Sequence, residues 1–375
     1  MGVSCTARLP LIAMLRTMKL LKYIDAFTGP FMVPCARLLL TRRKEIRRHD
    51  AFLIIRPGGI GDAVLLIPAI IALKKQYPHS VIDILAEKRN SAVFLLSPVI
   101  NKILRYDKLS ELFEAIRGNY DMVIDTEQWH RLSAVVARLT RAPMSIGYAT
   151  NERKKLFTHP IPYSHDDYEI NSFFNLIAPL TGPLSVDLDS PFLTVPAESM
   201  NKIRPLLKPL ANRRTVALFP GGSIEERHWG SDRFHQTAQT LVERGYEVVV
   251  IGGSDDRKAG EEIAEALPDV INFCGRLSLI ETAAVLKEAA LLITGDSGIL
   301  HIGFGLGIKT LSLFGPGIQK KWAPGGQGHV VINKNLDCSP CTKFGYTPKC
   351  KKGADCMKLI TVDEVYEKAL NLLEG

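Results

Sequence analysis

The sequence lacks the features of several protein classes. No stretch of about 18 consecutive residues is predominantly apolar, which argues against a membrane-spanning helix. Tandem repeats of short period and low-complexity tracts are also missing. With 46% hydrophobic and 23% charged residues, the composition argues against a disordered, collagenous or disulfide-scaffold protein. What remains is an ordinary globular protein, and its 375 residues suggest two domains.

Net positive charge is almost absent outside the first fifty residues. Residues 1–50, here called the leader, hold ten Lys and Arg against three Asp and Glu, which is +7 of the net charge of +8. The remaining residues are therefore close to neutral. Because binding to nucleic-acid phosphates needs clustered positive charge on the folded domain, we expect no nucleic-acid partner.

The leader is predicted to be a basic amphipathic segment. Apolar residues recur at helical spacing within residues 9–24, where Arg16 and two lysines interrupt them. A secretory signal fits poorly, because Arg16 cuts the apolar run and no small-residue cleavage site follows cleanly. We favour a segment that lies on an anionic membrane surface, with the basic run 41–49 adding attraction. The alternative is a helix packed on the body, followed by a solvated run of charge.

From residue 51 onwards, short β-branched runs alternate with longer helical patterns. Strands are predicted at 51–56, 81–85 and 120–125, each followed by a helix, and the first helix extends from Asp62 to about Gln76. Such alternation predicts a parallel sheet with helices on both faces. Residues 51–190 are therefore predicted to form one doubly wound α/β domain.

The alternation restarts after a proline-rich stretch. Six prolines between Pro179 and Pro209 are expected to break regular structure, and residues 191–212 are predicted to be the linker. A second doubly wound domain is predicted over residues 213–375. Its predicted strands are 215–219, 247–252, 291–295 and 309–314, and its predicted helices are 231–244, 258–267 and 278–289.

Glycine-bearing loops follow the predicted strands, at the edge where doubly wound sheets bind ligands. In the first loop, R-P-G-G-I-G-D, Gly58, Gly59 and Gly61 let the backbone approach a ligand, and the helix start favours negative charge. The loop has neither the Walker A pattern nor the dinucleotide G-x-G-x-x-G pattern, which argues against a nicotinamide oxidoreductase. Asp62 is either a helix N-cap or a general base exposed in a cleft.

The second loop, F-P-G-G-S, contains Gly221, Gly222 and Ser223 and precedes Arg227. Backbone amides beside a guanidinium suit a pyrophosphate, although a surface arginine on a glycine-rich turn has the same sequence. Asp256, in the run G-G-S-D-D after another strand, is suited to bind ribose hydroxyls, as is the neighbouring aspartate.

The third loop is G-D-S-G-I-L-H, residues 295–301. Asp296 is suited to accept hydrogen bonds from sugar hydroxyls, and Ser297 and Gly298 to donate to phosphate. His301 lies one helical turn after Ser297, where a core or capping histidine is the default expectation and a ligand-binding histidine the alternative.

These motifs together resemble glycosyltransferase family 9, the bacterial heptosyltransferases of lipopolysaccharide core synthesis. The resemblance runs from about residue 51 to the C-terminus. The segments that carry it are RPGGIGDAVLLIPAI, DMVIDTEQWHRLSAVVARL, FPGGSIEERHW and ITGDSGILHIGFGLG. It implies a GT-B fold, in which two Rossmann-like domains face each other across a cleft. The N-terminal domain would bind the acceptor and the C-terminal domain the nucleotide sugar, with inversion at the anomeric carbon and no metal in catalysis.

The resemblance also implies roles for single residues. Asp62 matches the general base, and Arg227 matches a basic residue near the donor phosphates that is often Lys in relatives. Asp296, Ser297 and Gly298 match the donor loop, and Asp256 the ribose-binding carboxylate. The whole set predicted to bind the donor is Ser223, Arg227, Asp256, Asp296, Ser297, Gly298, Ile299 and His301.

Residues after a strand end of the first domain are candidates for acceptor binding. Glu127, Gln128 and Arg131 are either acceptor contacts or the start of a solvated helix. The expected reaction transfers heptose from ADP-heptose to a lipid-linked glycan such as the lipopolysaccharide inner core. It is expected in the cytoplasm, at the inner face of the bacterial inner membrane. The alternatives are a nucleotide-sugar epimerase of GT-B-like fold, which needs no acceptor, and a non-catalytic protein that binds sugar nucleotides.

Four of the seven cysteines form a C-x2-C-x8-C-x5-C cluster at Cys338, Cys341, Cys350 and Cys356. This spacing suits a structural zinc ion held tetrahedrally. A cytosolic location argues against stable disulfides, so reduced or conditionally oxidised thiols are the alternative. We expect no catalytic role for the cluster.

Overall fold

The computed structural model describes residue 25 and residues 27–38, 51–185, 187–207, 214–343 and 346–375. The amphipathic segment 9–24 and the basic run 41–49 predicted above lie outside the described residues. No helix in the described ranges is both long and apolar enough to cross a membrane.

The first sheet consists of six parallel strands whose central members are buried on both faces. Its spatial order follows the strand numbers 3-2-1-4-5-6, which is the order of a doubly wound dinucleotide-binding sheet. The strands are β1 (Ala51–Arg56), β2 (Val81–Ala86), β3 (Lys102–Arg105), β4 (Met122–Asp125), β5 (Met144–Tyr148) and β6 (His159–Ile161). The helices on this half of the chain are α1 (27–38), α2 (Ile60–Gln76), α3 (Leu109–Arg117), α4 (Arg131–Leu139) and α5 (Glu169–Thr181).

The second sheet repeats the strand order of the first. Its strands are β7 (Thr215–Phe219), β8 (Glu247–Val250), β9 (Val270–Asn272), β10 (Leu291–Gly295), β11 (Lys309–Phe314) and β12 (His329–Asn333). They lie in the order β9-β8-β7-β10-β11-β12, all parallel. The helices of this half are α6 (Ala197–Leu207), α7 (Ser231–Glu243), α8 (Arg257–Ala264), α9 (Leu279–Lys287), α10 (Gly298–Gly305), α11 (Gln319–Trp322), α12 (Asp355–Lys358) and α13 (Val362–Glu374). The predicted α/β architecture of two doubly wound sheets is therefore confirmed.

Sequence patterns located the inner strands, apart from β5, but not the four edge strands. All seven predicted strands are present, whereas β3, β5, β6, β9 and β12 were not predicted. β6 is an edge strand of three residues containing Pro160, so its sequence carries no alternation to detect. The helix predicted after β2 is wrong, since a 3-10 helix at Ser91–Leu96 stands there instead. The interval 191–212 contains the helix α6, which keeps Pro205 inside it.

The part of the leader that the structure describes packs on the first domain. One face of α1 is buried through Gly29, Val33 and Ala36. Just before it, an oxygen of Asp25 accepts hydrogen bonds from the backbone amides of Arg131 and Leu132, at 2.6 and 2.7 Å. Asp25 thus satisfies two of the unpaired amides at the start of α4, and this ties the leader to that helix.

The two domains meet where helices α2 and α10 begin. A Cβ atom added to Gly61 would lie 2.6 Å from Cδ2 of His301, and one added to Gly298 would lie 2.7 Å from Cβ of Ile60. Each glycine therefore leaves the space that a side chain of the other domain fills. This close approach brings the glycine loops of both sheets to one cleft.

Candidate active site

A cleft of about 560 Å³ opens between the carboxyl ends of the two sheets. Its walls are the loops that follow β1, β7, β8 and β10, so the three glycine loops of the sequence meet there. β1 and β4 are neighbours in one sheet, and β7 and β10 are neighbours in the other. In each sheet the strands that follow the first of these two lie on one side of the pair, and the strands that follow the second lie on the other side. Ligands of doubly wound sheets bind at such switch points.

Asp62 faces this cleft from the first turn of α2 but does not cap the helix. The N-cap residue is Gly59, and no side chain caps the helix there. Oδ2 of Asp62 instead accepts a hydrogen bond from Nη2 of Arg56 at 3.0 Å, and the Asp62 side chain stays 26% exposed. The N-cap alternative is therefore wrong, and the carboxylate is held at the rim of the cleft.

Arg56 is the buried partner that positions Asp62. Its Nη1 donates to the carbonyl oxygen of Thr126 at 2.8 Å, and its side chain is 2% exposed. Burial by itself would lower the pKa of Arg56, but the carboxylates of Asp62, Glu127 and Glu169 raise it. The guanidinium therefore remains charged inside the domain. The sequence analysis missed this residue, although a charged residue at the end of an apolar strand was a signal.

The three candidate acceptor contacts are engaged within the protein. Oε1 of Glu127 accepts hydrogen bonds from the backbone amides of Gln128 and Trp129, both at 3.0 Å, and the residue is buried. Nε2 of Gln128 donates to Glu169 at 2.6 Å, and Nε of Arg131 donates to Glu152 at 2.9 Å. The interpretation of Glu127 as the start of a solvated helix is therefore wrong.

The electrostatics of Glu127 follow from its neighbours. Burial would raise the pKa of its carboxyl, but the charge of Arg56, followed by those of His130 and Arg153, lowers it overall. Glu127 is therefore a buried anion that helps to hold the Arg56 guanidinium.

The donor loop after β10 begins helix α10. Oγ of Ser297 accepts a hydrogen bond from the amide of Leu300 at 3.3 Å and so caps the helix. The first amides of a helix have no partner within it, which favours an anion at this end. Ser297, Gly298 and Ile299 all line the cleft, with Ile299 largely buried.

Asp296 and Arg227 form an ion pair on the same side of the cleft. Nη1 of Arg227 lies 2.7 Å from Oδ2 of Asp296, and the side chains are 15% and 5% exposed. Burial raises the pKa of Asp296, Arg227 opposes this rise, and the nearby charge of Asp62 adds to it. Nε of Arg227 is buried and makes no hydrogen bond to the described residues.

His301 is a neutral residue of the domain contact. It is 3% exposed, and burial, followed by the charge of Arg227, lowers its pKa to about 3. Its ring packs against Gly61, and its Nδ1 has no hydrogen-bond partner among the described residues. The structure therefore places His301 in the interior, next to the donor loop.

Asp256 supports the backbone of the loops rather than standing free in the cleft. Its Oδ2 accepts a hydrogen bond from the amide of Gly253 at 2.8 Å, and its carboxylate lies directly against Gly221. Burial raises the pKa of Asp256. Gly222 has a φ of 144°, a conformation that favours glycine, and Ser223 is exposed in the cleft.

The family model described as glycosyltransferase family 9 (heptosyltransferase) matches residues 109–352, well over half of the chain. The chain belongs to glycosyltransferase family 9. It is accordingly a glycosyltransferase, and the family resemblance predicted from the motifs is confirmed.

Known members of the family are similar to this chain over most of its length. Lipopolysaccharide heptosyltransferase 3 of Escherichia coli is 28% identical over 286 residues, which cover 70% of this chain and 83% of that protein. The structure of E. coli ADP-heptose lipopolysaccharide heptosyltransferase II has a TM-score of 0.72 at 21% identity, covering 86% of this chain and 98% of that chain. E. coli heptosyltransferase WaaC with ADP has a TM-score of 0.65 at 15% identity, covering 86% and 97%. The GT-B fold is confirmed by these structures.

The cysteine cluster of this family 9 protein gathers in one place, and none of its four cysteines lines the cleft. All four residues are free cysteines. Burial raises the pKa of Cys356, and the nearby Cys341, Cys350 and Cys338 raise it further. In the described part of the chain, however, no three Cys, His, Asp or Glu side chains are arranged to hold a metal ion. The geometry gives the predicted zinc site no support, and we derive no step from it.

Proposed function

We propose that this family 9 enzyme transfers heptose from ADP-heptose to a lipid-linked glycan acceptor of the lipopolysaccharide inner-core type. The observation that carries the proposal is the cleft itself, which sets the Arg56–Asp62 pair of one domain opposite the Arg227–Asp296 pair of the other. Relatives named as heptosyltransferases, and a solved relative with ADP, support the choice of sugar and nucleotide.

In this proposal Asp62 is the general base. Its Oδ2 is tied to Arg56, which leaves Oδ1 to take the proton from the acceptor hydroxyl. The hydroxyl oxygen attacks the anomeric carbon from the face opposite the leaving group, so the configuration inverts. Arg56 holds the carboxylate still while the proton moves, because its own guanidinium is fixed by Thr126.

The departing ADP would be stabilised by the second domain. The Arg227 side chain lines the cleft and is 15% exposed, so its guanidinium can donate to a phosphate oxygen while Nη1 stays paired with Asp296. The unpaired amides at the start of α10 add a second source of positive potential. Together these groups offset the charge that develops on the leaving diphosphate. Ser223 and Asp256 are proposed to border the nucleotide, with Asp256 acting chiefly by holding Gly221 and Gly253.

The first domain is proposed to take the acceptor. Glu127, Gln128 and Arg131 stay predictions as acceptor contacts. Because Glu127 binds backbone amides and Arg131 binds Glu152, an acceptor would have to add to these bonds or replace them. Gln128 is linked to Glu169, a carboxyl whose pKa is raised by burial and then by the charge of Asp62.

We further propose that the enzyme works at an anionic membrane surface. Phe27, Phe31 and Leu38 follow one another at helical spacing on α1 and are 75%, 74% and 75% exposed. This apolar face points away from the face that packs on the first domain, and it belongs to a leader with a net charge of +7. An apolar stripe with nearby basic residues suits a lipid interface.

Vesicle sedimentation tests the membrane proposal. The protein should sediment with vesicles rich in phosphatidylglycerol and much less with phosphatidylcholine vesicles, and high salt should release it. Phe27→Ser with Phe31→Ser should weaken the binding, whereas Leu109→Ser, at an exposed apolar residue of α3, serves as the matched control. Equal binding of both variants would contradict a role for this face.

Calorimetric titration with ADP, GDP, UDP and NAD, without added metal, tests the proposed donor. Selective binding of ADP is expected. Selectivity for GDP or UDP would change the sugar nucleotide, and binding of NAD alone would overturn the proposal. Incubation with ADP-heptose in the absence of acceptor then separates transfer from epimerisation, because only an epimerase would convert the free sugar nucleotide.

A further inference from the structure

A buried lysine of the second domain is inserted into the first. Lys321 lies on α11, between β11 and β12, and its side chain is 1% exposed. Its Nζ donates to the carbonyl oxygens of Ser164 and Asp167, both at 3.0 Å. It also forms an ion pair with Oε2 of Glu169 at 2.9 Å and lies 4.6 Å from the centre of the Tyr163 ring.

These partners form a complete binding site for one ammonium group. All of them belong to residues 163–169, here called the socket, which connect β6 to the start of α5 in the first domain. Two carbonyl oxygens and one carboxylate match the three protons of the Lys321 ammonium, and the aromatic face adds a fourth favourable contact. Burying such a charge is costly unless it is fully paired, and here each proton of the ammonium has a partner.

The socket is linked to the catalytic side of the first domain through Glu169. Oε1 of Glu169 accepts a hydrogen bond from Gln128 at 2.6 Å, and Oε2 accepts one from the Tyr163 hydroxyl at 3.0 Å. The charge of Glu169 also acts on Arg56, the residue that holds Asp62. A change at Lys321 therefore reaches the proposed base without contact with substrate.

We propose that Lys321 is a positioning residue that completes the surroundings of the base only when the domains are closed. Seated in the socket, it holds the Glu169 carboxylate, and through it Gln128 and the Arg56–Asp62 pair. When the cleft opens, the ammonium leaves with the second domain, and Glu169 keeps its hydrogen bonds from Gln128 and Tyr163 but loses its ion-pair partner. The proposal rests on the proposed transfer reaction, because the base it positions is the base of that reaction.

The charge of Glu169 depends on several neighbours. Burial raises its pKa, the carboxylate of Asp62 raises it further, and Lys321 lowers it. Removing Lys321 should therefore let Glu169 take up a proton at higher pH, which would move the acidic limb of the kcat/KM profile to higher pH. The titratable groups that face Glu169 are Arg56, Asp62, Tyr148, Tyr163 and Lys321.

The test compares Lys321→Met with Lys320→Met. Lys320 is the neighbouring residue of the same helix, is 69% exposed, and pairs with Asp166 at 3.3 Å on the surface. Lys321→Met should lower kcat by about tenfold or more, since small misplacements of catalytic groups are costly. It should also shift the acidic limb upwards while leaving the affinity for ADP within about twofold. Lys320→Met should behave as wild type.

Hydrogen exchange supplies a measurement that needs no turnover. With ADP bound, amides of the socket and of α11 should exchange faster in Lys321→Met than in Lys320→Met. If the wild type does not use ADP-heptose, the proposed function fails. The difference in hydrogen exchange between Lys321→Met and Lys320→Met still tests the role of Lys321 in that case. Unchanged kcat, pH profile and exchange in Lys321→Met would overturn the inference.

A second variant is needed if Lys321→Met does not fold because Glu169 has lost its ion-pair partner. The double variant Lys321→Met with Glu169→Gln removes both buried charges and so restores folding. It should keep the low kcat, because neither charge is left to position Gln128 and Arg56. A double variant with wild-type kcat and pH profile would overturn the inference.

Discussion

The two domains share one strand order, but the ion pairs at their ligand edges face the cleft in opposite senses. In the first domain the guanidinium of Arg56 is 2% exposed and the carboxylate of Asp62 is 26% exposed. In the second domain the carboxylate of Asp296 is 5% exposed and the guanidinium of Arg227 is 15% exposed. The first domain therefore presents an acid to the cleft, and the second presents a cation.

The fold determines where each ion pair stands, and the orientation of the pair determines whether an acid or a cation faces the ligand. Both pairs stand where a strand of a doubly wound sheet ends and a loop turns into the cleft. A carboxylate held by a buried cation can take a proton, whereas a guanidinium held by a buried acid can bind a phosphate. One architecture thus serves both partners of a transfer reaction.

The largest expected effect comes from removing the exposed acid. Asp62→Asn keeps the size of the side chain but not the base, so kcat should fall by roughly 10²- to 10⁴-fold. Calorimetry should show ADP binding within about twofold of wild type, since the donor side is unchanged. Asp269→Asn, at an exposed carboxylate between α8 and β9, is the control and should keep full activity. Retained turnover in Asp62→Asn would remove Asp62 from the mechanism.

Removing the exposed cation should weaken the binding of the donor nucleotide instead. Arg227→Met should weaken ADP binding by about tenfold or more, because hydrogen bonds to charged groups contribute roughly 1.5–3 kcal/mol each. Arg227→Lys should be intermediate, since lysine keeps the charge but not the planar fork. Arg244→Met, at a 57% exposed arginine on the surface, should bind ADP as wild type does. Unchanged affinity in Arg227→Met would place the phosphates elsewhere.

One added methyl group should disturb the contact between the two domains. Gly61→Ala would place Cβ 2.6 Å from the His301 ring, so overpacking should cost about 1–3 kcal/mol of unfolding free energy. Thermal unfolding should show a lower Tm. Gly59→Ala is the matched control, because its nearest neighbour, Oδ2 of Asp62, is 3.8 Å away and the backbone φ is −71°. Equal Tm values for the two variants would contradict close packing of α2 on α10.

An effect that appears only on acidification concerns the neutral histidine between the domains. The unfolded chain protonates His301 near the usual pKa of 6.5, whereas the folded chain does so only at about 3. Stability should therefore fall as the pH drops from about 6.5 towards 3, by at most about 1.4 kcal/mol per pH unit. Urea unfolding at several pH values measures this slope, which His301→Gln should reduce. His79→Gln, at an exposed histidine, should leave it unchanged.

Sequence patterns predicted the parts of the fold that local chemistry determines. The strands β1, β7 and β10 are runs of apolar residues buried on both faces, and such runs are visible in the sequence. The edge strands β6 and β12 are partly exposed and pair with one neighbour each, so no comparable pattern marked them. Pro205 was expected to break regular structure, yet it lies in the last turn of α6, near its end.

The residues of the candidate site also fall into two groups, those that local sequence patterns predicted and those that they missed. Asp62, Gly61, Arg227 and the donor loop were predicted because glycines and charges cluster after strands. Lys321 and the socket around Glu169 were not, since 152 residues separate the two partners and neither stands in a motif. Thr342 and Thr347, whose hydroxyls lie 3.4 and 3.5 Å from Nη2 of Arg227, were equally invisible.

By itself, the amino-acid sequence determined the two-domain α/β class, the family and the loops that border the cleft, because each depends on residues close together in the chain. Only the tertiary structure decided that Asp62 is held by Arg56 rather than capping its helix, and that His301 is buried against Gly61. It also decided that Lys321 crosses between the domains. The physical reason is that burial and ion pairing are set by groups distant in sequence, whose approach no local pattern records.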